Sequence, residues 1–162
     1  MPLDSTRHFL ETFSLRELVA EVCQPLESRL SAQAIQTVID IPEKQTVTAE
    51  RELFHRAVRN LVLNAVEAMP DGGLLTATSA AGVQTIELEI ADSGPALSDE
   101  ERQQVFALLP SVQRGGTGWG LAVVHRIAEL HGGNVLVANC PDGGVAFTLR
   151  LPRAAAVEAA AR

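Results

Sequence analysis

Two cysteines in 162 residues, Cys23 and Cys140, stand far apart and in no metal-type spacing. Neither a disulfide scaffold nor a zinc site is expected, and a reducing, cytoplasmic setting fits best. Long apolar runs are missing too. No stretch approaches the roughly 18 to 20 residues needed to cross a bilayer, and the opening Met1-Pro2-Leu3-Asp4-Ser5 lacks the basic and apolar regions of a secretory signal. No membrane contact is expected of this chain. Basic charge is also scarce: 13 Lys and Arg against 20 Asp and Glu leave a net charge of −7. With no basic cluster, such a field repels a nucleic-acid backbone. Core material, by contrast, is ample. Apolar residues make up 46% and charged residues 20%, which excludes a disordered chain and, at this length, fits one domain around a single core.

Helical spacing begins after Ser14, where Leu15, Leu18, Val19 and Val22 recur on one face and Ser14 with Glu17 has the spacing of a capping box. Pro25 interrupts that helix, and the chain turns extended around Gln36 to Ile41. The longest pattern runs from about Ala49 to Met69, with Phe54, Ala57, Val58, Leu61, Val62 and Ala65 as its stripe and Pro70-Asp71-Gly72-Gly73 as its stop. Strands are expected at Leu74 to Thr78 and Thr85 to Ile90, joined at Ala81-Gly82, the second alternating apolar with Glu87 and Glu89. Ser98 and Glu101 repeat the capping spacing before a short helix through about Ala107. An irregular stretch, Leu108 to Gly116, leads into a helix from about Trp119 to Leu130, closed by Gly132-Gly133. Two last strands, Asn134 to Ala138 and Val145 to Leu151, flank the turn Pro141-Asp142-Gly143-Gly144. Hairpins make the sheet mostly antiparallel, and helices not interleaved one per strand must share one of its faces. The expected class is α+β, a two-layer α/β sandwich.

Three constellations bear chemistry. Asn60 and Asn64, four apart, sit about 40° apart on the helical wheel at one edge of the stripe. Asparagine is a poor interior helix residue, so the pair answers a specific polar demand or satisfies neighbouring backbone groups. Asp92-Ser93-Gly94-Pro95 follows a strand directly. A carboxylate there can accept from an exocyclic amine while glycine lets a flat ring approach, and an Asx turn explains the same residues without a ligand. Gly115-Gly116-Thr117-Gly118-Trp119-Gly120-Leu121 precedes a helix, the geometry that collects phosphate oxygens or serves as a hinge loop. Dinucleotide and Walker-A readings of it fail, because the sixth position from Gly116 is Leu121 and no Lys-Ser or Lys-Thr follows. His125 and His131 are six apart, which favours helix surface and C-terminal capping over a metal pair.

In order and spacing the three together resemble the ATP-binding catalytic domain of bacterial sensor histidine kinases, within the Bergerat-type superfamily that also holds gyrase-type ATPases. Asn60-Leu61-Val62-Leu63-Asn64-Ala65-Val66-Glu67-Ala68-Met69 matches the asparagine box, Asp92-Ser93-Gly94 the first glycine box and Gly116-Thr117-Gly118-Trp119-Gly120-Leu121 the second. Gly143 to Pro152 resembles the closing strand. The resemblance implies that Asn64 ligates Mg²⁺ bridging the phosphates of ATP, that Asn60 supports phosphate and metal as the catalytic amide, and that Asp92 receives the adenine amine. It places Ala68, Gly94, Arg114, Gly116, Thr117, Gly118, Gly120 and Leu121 around the nucleotide. An acidic chain with neutral asparagines needs a hard dication to hold a polyphosphate, which supports the metal step.

Gyrase-like relatives carry a glutamate base one turn before the metal-binding asparagine. Here that place is Asn60, an amide that cannot take a proton from water, so hydrolysis is expected to be slow. The implied acceptor is instead a histidine on a separate dimerisation domain, with a response regulator downstream. The acceptor motif, a His followed by an acid and Arg-x-Pro, is absent, and His8 lacks those neighbours. The expected organisation is the end of a preceding dimerisation helix over 1–12, the ATP-binding domain over 13–152 and an Ala-rich tail over 153–162. Ala96 in place of a second glycine, a reduced aromatic content in Val105 to Ser111 and Val145 in place of a hydroxyl residue depart from the family pattern. They keep two alternatives open: a non-catalytic docking module, and a serine-directed kinase of the anti-sigma type on the same fold.

Overall fold

Ser14 starts the first helix as its spacing implies: its Oγ accepts the Glu17 N–H at 3.1 Å, and α1 runs Leu15–Cys23. In this computed structural model, which describes residues 9–105 and 119–153, Pro25 falls in a single 3-10 turn, Gln24–Leu26, before α2, Glu27–Ala32. Strand β2, Ile35–Asp40, follows. The long helix α3 spans Arg51–Ala68. It starts two residues later than expected because Ala49 and Glu50 finish a strand, β3, Thr46–Glu50. The Glu50 carboxylate then caps the helix by accepting the Leu53 N–H at 3.0 Å. Next come β4, Gly73–Ala81, and β5, Thr85–Ala91. Helix α4, Asp99–Gln104, opens on a reciprocal capping box between Ser98 and Glu101. Helix α5, Trp119–Leu130, and strands β6, Asn134–Asn139, and β7, Val145–Pro152, complete the order.

Five strands form one sheet in the order β2-β4-β5-β7-β6, with only the β2–β4 pair parallel. Burial alternates along β5 and β7, where Ile86, Leu88 and Ile90 pair across to Leu151, Leu149 and Phe147, all buried. Helices α1, α3 and α5 cover that face, and Glu87, Glu89, Thr148 and Arg150 line the other. The result is the two-layer α+β sandwich. Each fully buried Leu or Phe contributes roughly 1.5–3 kcal/mol, so the apolar stripe of α3 against β4 and β5 fixes the helix that carries both asparagines.

Two elements, β1 and β3, were not expected. β1, Leu10–Ser14, pairs antiparallel with β3 in a separate two-stranded ribbon, Thr12 opposite Thr48 and Phe13 opposite Val47. The expectation of a helix end reaching residue 12 is therefore corrected for Leu10, Glu11 and Thr12, and residues 1–8 lie outside the described residues. Five-residue strands with threonines on the open face carry too little alternation to be read from a sequence. The tail from 154 onward also lies outside the described residues.

Candidate functional site

Asn60, Asn64 and Ala68 follow one another at four-residue steps along α3, so they rise along one edge of the helix over about 12 Å. Two other parts of the chain meet that edge, one at each end. At the Asn60 level α5 comes so close that a Cβ on Gly120 would lie 3.3 Å from that of Asn60. The Asn60 Nδ2 donates to the Gly120 carbonyl at 3.3 Å. At the Ala68 level the loop after β5 takes over, and a Cβ on Gly94 would stand 2.6 Å from the Ala68 carbonyl oxygen. Gly94 therefore serves the fold as well as any ligand, because the loop reaches α3 only without a side chain there.

Asp92 is buried, 5% exposed, at the start of that loop. Its Oδ1 accepts the Gly94 N–H at 2.9 Å and the Val145 N–H at 3.3 Å, and its own N–H donates to the Val145 carbonyl at 3.0 Å. The Asx turn expected as one alternative is thus present, and it fixes the carboxylate in place. Ser93 Oγ accepts the Leu74 N–H at 2.8 Å and donates to Met69 Sδ at 3.5 Å, which ties the loop to β4 and the end of α3.

The β6–β7 turn closes on the same loop from behind. Gly144 has φ +93°, and a Cβ there would fall 1.8 Å from the Asp92 carbonyl oxygen, so only glycine fits. Asn139, at the end of β6, clasps Leu97: its Oδ1 accepts the Leu97 N–H and its Nδ2 donates to the Leu97 carbonyl, both at 2.9 Å. The local sequence pattern marks Gly144 only as a hairpin residue and gives Asn139 no role. Each acts across the fold on a loop far away in the chain, and no local pattern marks such a contact.

Asn64 carries the polar demand of the edge. Its Nδ2 is buried with no hydrogen-bond partner, and a buried donor left unmade costs about 1–3 kcal/mol. An acceptor such as a phosphate oxygen would satisfy it. The amide oxygen is a hard donor of the kind Mg²⁺ takes. Among the described residues no group of three His, Cys, Asp or Glu side chains could hold a metal.

Of the other residues expected at the site, Leu121 turns its side chain into the core, leaving only its main chain to a ligand. Arg114, Gly116, Thr117 and Gly118 lie outside the described residues. Ala96 is exposed, and Ala34 alone among the described non-glycine residues has a positive φ, so the alanine sits without backbone strain. Val145 is fully buried and meets Asp92 through its main chain. The two histidines behave as their spacing implies. His131 Nδ1 bonds the Ile127 carbonyl at 2.8 Å while its Nε2 accepts the Glu50 N–H at 3.0 Å, and His125 pairs with Glu129 at 3.2 Å.

Comparison with known proteins identifies the family and the fold. The sequence pattern of the family described as "Histidine kinase-, DNA gyrase B-, and HSP90-like ATPase" matches residues 49–155. The adaptive-response sensory kinase SasA of Synechococcus sp. (strain CC9311) is 32% identical over 149 residues, which cover 88% of this chain and 39% of SasA. The chain thus spans well under half of that relative. The solved catalytic domain of histidine kinase ThkA superposes with a TM-score of 0.82 at 28% identity, over 89% of this chain and 95% of that one. A structure of ThkA with the response regulator protein TrrA matches with a TM-score of 0.77 at 26% identity, over 89% of this chain and 42% of that one. The chain belongs to the histidine kinase-, DNA gyrase B- and HSP90-like ATPase family, as an ATP-binding catalytic domain of the sensor histidine kinase type.

Proposed function

We propose that the α3 edge binds ATP with Mg²⁺ and that the domain gives the γ-phosphate to a histidine on a separate dimerisation domain of a two-component sensor kinase. One observation supports this reading: Gly120 and Gly94 meet the Asn60–Asn64–Ala68 line at its two ends, so the first turn of α5 and the loop that carries Asp92 both lie along one edge of α3. At one end the Asp92 carboxylate, oriented by Gly94 and Val145, accepts the adenine amine; a carboxylate has about four lone-pair sites, so those bonds leave capacity. At the other the phosphates lie against the N-terminal turn of α5, whose dipole favours negative charge. The Asn64 amide oxygen would hold Mg²⁺, which would supply the positive charge that offsets the triphosphate. The Asn64 Nδ2 gains the acceptor it lacks.

The residues here position rather than attack. Asn60 is an amide tied to Gly120 and takes no proton, so water in the cleft is not activated and the nucleotide keeps its phosphate until an acceptor arrives. The acceptor imidazole nitrogen then attacks the γ-phosphorus in line. The N–P bond forms as the bond to the β,γ-bridging oxygen breaks, and that electron pair leaves with ADP. The acceptor domain lies in the same protein or its dimer partner, residues 13–152 together with β1 being the donor module, inactive alone. A response regulator receives the phosphate next, as the pairing of ThkA with TrrA supports. A cytoplasmic position suits that exchange, and among the described residues no helix is long and apolar enough to cross a membrane.

Calorimetric titration with Mg²⁺ and a nonhydrolysable ATP analogue tests the first half. Wild type gives heat and, at 100 times its Kd, about 2.7 kcal/mol of added stability, and Asp92→Ala loses both. The same absence of heat in the two proteins overturns the enzyme reading in favour of a docking module. Adding a histidine-bearing domain and ATP tests the second half. Acid-labile phosphate on that domain is the expected product, and acid-stable phosphate on serine points to the other kinase class.

A further inference from the structure

The stretch from Ser93 to Ser98 has no regular secondary structure, yet it runs from the buried acid to the first turn of α4. Its main chain is fastened near both ends. Gly94 N–H is held by Asp92 itself, and Leu97 is held at both its N–H and its carbonyl by the Asn139 side chain. That clasp has the form of strand pairing, with an amide side chain acting as the partner. Leu97 is 4% exposed, so the clasp sits over a side chain sunk in the core.

Asn139 also opens the turn that grips Asp92. Cys140 N–H bonds the Gly144 carbonyl at 2.9 Å, and Gly144 and Val145 lie directly against Asp92. One turn therefore holds the acid loop at two places, at Asp92 through Gly144 and Val145, and at Leu97 through Asn139. Releasing the second hold removes both side-chain bonds to the Leu97 main chain, three residues beyond Gly94.

We infer that Asn139 is a positioning residue for nucleobase selection: by fixing Leu97 it keeps Asp92 and Gly94 at a set distance and direction from the base. The inference rests on the nucleotide reading above. Its consequence is specific to the base. A carboxylate rewards an exocyclic amine and repels a carbonyl, and both effects depend on direction, so a loosened loop gains less from adenine and rejects guanine less. Loss of fold alone weakens both nucleotides by the same factor.

The test measures Kd for the imido analogues of ATP and GTP in Mg²⁺, well below the unfolding temperature, with the whole chain. Asn139→Ala removes both bonds. Asn139→Asp keeps an acceptor for the Leu97 N–H but sets an anionic oxygen against the Leu97 carbonyl. Each is expected to lower the preference for the adenine analogue about tenfold, a 1.4 kcal/mol difference. Val22→Ala, which opens a cavity under α1 away from the site, lowers stability and leaves the preference unchanged. If wild type binds the ATP analogue and neither Asn139 variant changes the preference, the inference fails while the nucleotide reading stands. If wild type binds neither analogue, the nucleotide reading fails and this inference with it.

Discussion

Asn60 is joined to Gly120 across the α3–α5 interface, its Nδ2 donating to the glycine carbonyl at 3.3 Å, and a Cβ on Gly120 would crowd the Asn60 Cβ at the same 3.3 Å. An amide thus does in this position what a carboxylate could not. It donates to the first turn of α5 and keeps that turn against the edge where the phosphates are proposed to lie.

Asn60→Asp removes the donor and turns an anionic oxygen toward the Gly120 carbonyl. The ligand-free chain should lose about 1–2 kcal/mol in urea denaturation, more than Asn60→Ala, which deletes the bond without adding charge. Equal losses in the two variants would mean that the bond contributes nothing beyond packing.

Asn64 is expected to show the opposite sign. Its buried Nδ2 has no partner, so Asn64→Leu, near in shape and apolar, should raise the stability of the ligand-free chain by about 1 kcal/mol. The same substitution should abolish Mg²⁺-nucleotide binding. Thermal melts without ligand and titrations with it check the two halves, and a destabilised ligand-free variant contradicts the idea that this side chain is held for a ligand.

Gly144→Ala places a methyl on the Asp92 carbonyl, at a φ that side chains rarely adopt. A loss of about 3 kcal/mol or more is expected. Gly143→Ala is the matched control, with φ +105° and nothing within 4 Å of the new Cβ. It should lose only about 1 kcal/mol, and the difference between the midpoints isolates the contact with Asp92.

Much of the sheet and α3 were legible because burial on one face writes a period into the chain. Phe54, Ala57, Val58, Leu61, Val62 and Ala65 mark the helix, and the position of Asn60 and Asn64 at the edge of that stripe follows from the same wheel. Ile86, Leu88 and Ile90 do the same for β5. The β1–β3 ribbon was not legible: it is five residues wide and held by a Thr12–Thr48 hydroxyl pair at 2.8 Å and by Phe13 edge-on to Phe54, contacts with no local signature. The same holds at the site. Asp92 and Gly94 stand out as a motif, whereas Gly144 and Asn139 matter only because the fold carries them to that loop.

Arg51 pins the ribbon to the helix layer. Its guanidinium makes two bonds to the Glu21 carboxylate, at 2.7 and 2.8 Å, and lies 5.5 Å from the Phe13 ring centre. The Glu21 bond holds its pKa above the ordinary arginine value. Both bonds leave from Nη2, so Arg51→Lys keeps the charge but, with a shorter and more compact head group, weakens that pair and loses the guanidinium over Phe13. Because both partners are about a third or more exposed, the loss should be only about 0.5–1 kcal/mol and should shrink in high salt. A salt-independent loss would assign the effect to packing on Phe13.

Cys23 gives the chain an alkaline limit that can be read separately. Burial raises its thiol above the ordinary value, with the Glu27 carboxylate acting in the same direction. A proton held more tightly in the folded state contributes stability that is complete below the ordinary thiol range and is lost as pH rises toward the raised folded value. The chain has no tyrosine and a single lysine, Lys44, and the second free thiol, Cys140, is common to wild type and Cys23→Ala, so the difference between them isolates Cys23. Cys23→Ala should lose a constant amount near neutrality from its small cavity. Above the ordinary thiol range the wild-type advantage should then fall, at a slope approaching about 1.4 kcal/mol per pH unit. Urea titrations of both proteins from neutral to strongly alkaline pH measure that difference directly. If it stays level throughout, the thiol is not held protonated by its surroundings and the alkaline limit lies elsewhere in the chain.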